Sequence, residues 1–159
     1  MSHCIGFNPN ATLPAADLAR EGKAHGLLDV TETHDGKRYI FVQANGAIAQ
    51  YDAVGIDEAG QAAPLTKAMA DDNWKIGIAQ VAFDDDDYGW VQIYGPTTVN
   101  VLANCAADAA LYTSGTAGSL DDDNTSQTLV RGITATAAVG GSAGEVAAFI
   151  AVEPSSGAF

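Results

Sequence analysis

Short runs of β-branched and aromatic residues, with Gly, Asn and Asp between them, recur from Arg38 onward. They are Arg38–Gln43, Tyr51–Ile56, Lys75–Phe83, Trp90–Tyr94, Thr97–Leu102, Thr128–Thr136 and Glu145–Val152. Within Lys75–Phe83 the period is two, which places Ile76, Ile78 and Gln80 on one face. Asn45-Gly46 and Gly95-Pro96 supply turn signals, the latter reading as a break between two strands. Apolar stripes of period 3.6 are missing. This spacing predicts an all-β fold, a small β-sandwich or barrel-like domain, with one or two short helices at Ala15–Glu21 and Leu65–Asp71.

The first 37 residues have a different texture. Asn8-Pro9-Asn10 and Leu13-Pro14 are turn or extended signals, and all three histidines, His3, His25 and His34, lie here. The chain therefore divides into an N-terminal arm, 1–37, and a β-rich domain, 38–159. The arm offers Phe7, Leu13 and Leu18 as apolar anchors and Arg20 and Lys23 as cations for a partner surface. Residues 1–34 are expected to contribute more to attachment than to the fold. Trp74 and Trp90 are candidate interface residues, because tryptophan is enriched where proteins meet.

Charge narrows the partners. Seven Lys+Arg against 20 Asp+Glu give a net charge of −13. Beyond Lys75, ten carboxylates face the single Arg131, a net −9. Such a surface repels phosphate backbones, so no nucleic-acid partner is expected. No stretch approaches the roughly 20 apolar residues of a spanning helix, so no membrane association is expected. Met1–Gly6 has neither a basic nor an apolar region, so no secretory signal is expected. Cys4 and Cys105 then read as reduced thiols, Cys105 as a small buried hydrophobe.

No motif carries a convincing active site, so no catalytic residue, metal or cofactor is assigned. Gly140–Gly144 matches G-x-S-x-G, but that motif works on a strand-to-helix turn with a later histidine. Here a strand pattern follows, and no histidine lies beyond His34. The runs Asp84–Asp87 and Asp121–Asp123 lack the ladder of a calcium loop and read as solvated loops between strands. Residues 52–60 and 108–115 share a small-residue turn, a strand and a Gly-containing corner ahead of Leu65 or Leu120. Gly77-Ile78-Ala79 similarly resembles Gly132-Ile133-Thr134, which suggests two related β units.

The segments 35–44, 51–54, 76–82, 88–95, 131–133 and 148–152 resemble those of small structural proteins of tailed-bacteriophage heads. The resemblance is to the capsid decoration, or cement, proteins, and spans about residues 35–153. It implies a β-rich, non-enzymatic virion protein, often a homotrimer. Such a protein is made in the host cytoplasm and bound to the major capsid protein on the capsid exterior. The alternative expectation is a head- or tail-associated receptor-binding β-module that recognises carbohydrate through a cleft lined by Trp90, Tyr94 and Asp87.

Overall fold

The computed structural model describes residues 8–17 and 25–156. The described residues form ten strands: β1 (Val30–Glu32), β2 (Arg38–Ala44), β3 (Ala53–Ile56), β4 (Gln61–Pro64), β5 (Lys75–Ala79), β6 (Tyr88–Val101), β7 (Leu111–Thr113), β8 (Leu120–Asp121), β9 (Leu129–Ala135) and β10 (Gly144–Ser156). Among the described residues, helix is confined to residues 15–17 and Lys67–Asp71. The fold is all-β and barrel-like, as the strand spacing predicts; the sheet closes on itself instead of forming a two-sheet sandwich.

The first barrel closes as β2–β4–β3–β5–β6 and back to β2. Its β2–β4 pairing is parallel, and the other four are antiparallel. The same connectivity then recurs. β6 pairs with β8 in parallel, while β8–β7, β7–β9, β9–β10 and β10–β6 are antiparallel. Strand β6 thus serves twice, as the last strand of the first ring and the first strand of the second. The similar stretches in the sequence fall on equivalent strands: 52–60 holds β3 and 108–115 holds β7, while Gly77 lies in β5 and Gly132 in β9.

Gly95-Pro96 does not break the chain into two strands. β6 runs through it for 14 residues, because the ladder partners change there. Residues before Gly95 pair with β2 and β5; from Gly95 to Val101 the partner is β10, joined at Val101 by β8. A proline removes one ladder donor, which is tolerated at such a change of partner. Gly95 has φ +97°, a value that disfavours any residue with a Cβ. Gln92 repairs the crossing: its fully buried amide donates to the carbonyls of Tyr94 (3.0 Å) and Pro96 (2.8 Å).

Two cores follow from this arrangement. The first barrel encloses Ile40, Val42, Val54, Ile56, Val91 and Ile93. The second core combines the interior of the other barrel with Ile76 and Ile78, which project from the outer wall of β5. Strand β5 is therefore covered on both faces, and its period-two pattern does not separate core from solvent. Gln80 leaves the strand altogether and bonds the Thr97 hydroxyl at 2.8 Å. Each large aliphatic so buried contributes roughly 1.5–3 kcal/mol.

Sequence reading differs from the structure at other edges too. The first strand begins at Val30, where β1 pairs with β2, and an isolated bridge joins Leu13 to Tyr88 still earlier in the chain. The predicted helix at Leu65–Asp71 starts at Lys67, because the Thr66 side chain caps it by accepting the Met69 N–H at 3.4 Å. Of the helix predicted at Ala15–Glu21, residues 15–17 are helical and the remainder lies outside the described residues.

Candidate functional site

Three places on this frame concentrate chemistry. The first is the outer face of the first barrel, where Tyr39, Phe41 and Trp90 form a cluster with Leu27 and Tyr88 packed on it. Strand alternation turns these rings outward while Ile40, Val42 and Val91 turn inward. The arm then lies over them. Leu13 exchanges two backbone hydrogen bonds with Tyr88 (2.7 and 2.9 Å), and the Leu28 N–H donates to the Phe41 carbonyl at 2.8 Å. The His25 ring meets Trp90 edge-on at 4.9 Å and Phe41 at 5.7 Å. Its Nε2 is buried there without a hydrogen-bond partner.

This geometry reassigns Trp90. It is only 3% exposed, held inside the chain by the arm, and so is not an open interface residue. Trp90 and Asp87 are both buried, so they do not line an open cleft with Tyr94. Leu13 and Trp90 are brought to one face, whereas Trp74 is half-buried elsewhere, beside Gly55 on β3 and Met69 of the short helix. Phe7, Leu18, Arg20 and Lys23 lie outside the described residues. Sequence reasoning missed His25, Tyr39 and Phe41 as one group. The outward alternation of Tyr39 and Phe41 in a strand with both faces apolar was the available signal.

The acidic loops are the second place. Asp85 accepts the Gly46 N–H at 2.7 Å, Asp86 accepts from the Gln43 amide at 3.3 Å, and Asp87 turns back toward the Asp84 N–H at 3.4 Å. These carboxylates hold the turn opposite residues 43–46. Asp123 likewise accepts from Thr125, whose hydroxyl, together with its N–H at 2.8 Å, holds the Asp123 carboxyl below the ordinary carboxylate range.

The third place is where Cys105 meets Asp121 and Asp122. Their ligand atoms lie within 4.8 Å of one another, so these are the described residues with a spacing that can hold a cation. Asp122 is already used as a cap, accepting the Ala106 N–H at 3.0 Å. Burial, with the nearby Asp122 and Asp121 charges, pushes the Cys105 thiol up. The thiol is 1% exposed and should stay unreactive in the native protein. In a Cys4→Ser background, a thiol reagent should label Cys105 slowly until urea unfolds the chain; rapid native labelling would contradict this placement. Because the folded pKa lies above the ordinary 9.0, its stabilising share is present below that pH. It is lost as pH rises through the folded value, so stability should decline on the alkaline side.

Gly140–Gly144 is an exposed loop that runs directly into β10. The strand-to-helix turn that a G-x-S-x-G nucleophile needs is not formed there. Among the described residues, no helix is long and apolar enough to cross a membrane. Comparison of the chain with protein-family models and with curated protein sequences finds no match.

Proposed function

We propose that the protein is a structural virion component, a capsid decoration protein that binds the major capsid protein on the outside of a bacteriophage head. It acts there as a homotrimer, without cofactor or catalysis. What carries this reading is that the segments resembling decoration proteins are the strands and turns of the double barrel, centred on β2, β3, β5, β6, β9 and β10. Two barrels sharing one continuous strand make a stiff body, suited to bridging neighbouring capsomers and turning binding free energy into resistance to pressure and heat. The charge of −13 favours a soluble body with little affinity for the packaged genome.

The test mixes purified protein with undecorated capsids assembled from the major capsid protein of the same genome. Saturable co-sedimentation, with added density at symmetry-related points on the outer surface, is the expected result. Capsids that sediment without it would overturn the proposal.

A further inference from the structure

We propose that Asn45 is a latent site of spontaneous covalent modification, its side-chain amide closing on the next backbone nitrogen, and that the Asp85 carboxylate keeps it shut in the folded chain. Asn45-Gly46 is the one Asn-Gly pair in the sequence. Such a pair reacts when the glycine nitrogen loses its proton and attacks Cγ of the asparagine side chain. A Cγ–N bond forms, the Cγ–Nδ2 bond breaks, and the departing nitrogen takes a proton from water and leaves as ammonia. Water then opens the cyclic imide at either carbonyl. The products are aspartate, or isoaspartate, in which the main chain runs through an extra carbon. Glycine suits the reaction because no Cβ shields its nitrogen.

Packing does not prevent this chemistry. Asn45 follows β2 directly and is exposed, and a Cβ added at Gly46 would meet nothing within 4 Å. Hydrogen bonding does prevent it. The Gly46 N–H donates to Asp85 Oδ1 at 2.7 Å, a short bond to a charged acceptor. One residue earlier, the Asn45 N–H donates to the Ala62 carbonyl at 2.8 Å, and the Asn45 side-chain nitrogen stands 3.5 Å from Gln61 Oε1. To react, Gly46 must give up the proton it shares with Asp85 and turn toward Cγ. The bond resists the turn, and losing the proton would leave two negative groups face to face.

The position makes the modification consequential. Gln43 and Ala44 pair with Gln61 and Ala62 in the parallel β2–β4 ladder that closes the first barrel, and the Asn45–Ala62 bond continues it. On the other side, the Ala44 N–H donates to the Asp87 carbonyl (2.8 Å) and the Ala44 carbonyl accepts the Asp86 N–H (3.1 Å). Isoaspartate at position 45 lengthens the main chain between the Asn45–Ala62 and Gly46–Asp85 contacts, so both cannot be kept. Either product also adds a carboxylate beside Asp84–Asp87 in a chain of charge −13. The modified chain should therefore unfold at a lower temperature than the unmodified one.

The test ages the full chain in warm, mildly alkaline buffer and follows position 45 by peptide mapping with detection of isoaspartate. Folded wild type should keep its amide there, whereas the same chain in guanidinium chloride should convert. Asp85→Ala, checked as folded by thermal unfolding, should convert about tenfold faster than folded wild type or more, the effect of losing a hydrogen bond to a charged group. Asp85→Asn keeps an acceptor in place and should retain most of the protection. Asp84→Ala removes a neighbouring charge without touching the Gly46 N–H and should leave the rate unchanged. Hydrogen exchange at the Gly46 amide of wild type, expected to be slow in this exposed turn, serves if Asp85→Ala fails to fold.

Conversion of folded wild type as fast as that of the unfolded chain would overturn the proposal, as would an unfolded chain that leaves Asn45 intact. A folded Asp85→Ala protein as slow as wild type would remove Asp85 as the guard, and rapid exchange at Gly46 would do the same. Equal acceleration in Asp84→Ala would assign the effect to charge instead of the bond. None of these measurements involves a capsid, so their outcome is independent of the decoration role.

Discussion

Gly118→Ala should destabilise the protein by about 3 kcal/mol or more, through one added methyl group. Gly118 has φ +83°, where an L-residue is strained by about 1–2 kcal/mol. Its new Cβ would sit 2.4 Å from the Asp52 carboxyl carbon. Asp52 cannot yield cheaply. It is 7% exposed, and its carboxylate accepts the Ala49 N–H (3.1 Å) and the Asn100 amide (2.9 Å). Hydrogen bonds to a charged group contribute roughly 1.5–3 kcal/mol. Gly118 also ties the barrels together, donating to the Leu65 carbonyl and accepting from the Ala53 N–H. Urea unfolding measures the effect; a change below about 0.5 kcal/mol, the range of an ordinary surface substitution, would refute this account of the seam.

Trp90→Ala should cost about 3–5 kcal/mol, the usual loss on truncating a buried tryptophan. For a chain of this size that lowers the unfolding midpoint by roughly 6–20 °C. The ring is enclosed by Phe41 at 5.1 Å and His25 at 4.9 Å, so truncation leaves a cavity between barrel and arm. Removing residues 1–34 should lower stability for the same reason, because it strips His25, Leu27 and β1 from the aromatic face. An interface tryptophan would behave differently, leaving the midpoint near wild type while weakening association. Thermal unfolding beside sedimentation separates the two, and an unchanged midpoint would return Trp90 to the surface.

Strand content, the paucity of helix and the paired units were legible because they depend on local physics. Side-chain period, turn chemistry and β-branching act over a few residues, so β2, β5, β9 and most of β6 could be located from the sequence. The likeness of residues 52–60 to 108–115 was visible for the same reason, since equivalent strands in equivalent barrels need the same small residues and corners. The short strands were harder. β1, β4 and β8 have two to four residues each and take their conformation from the ladders they join. Trp90 and Phe149 mark what only the tertiary structure decided. Both are aromatics on strands, and nothing local distinguishes them. Trp90 is buried because a segment more than 60 positions earlier lies across it, and Phe149 is exposed because the second barrel shares its first strand and so lacks such a segment. Burial of a side chain depends on which distant chain covers it, and that is set when the barrels close.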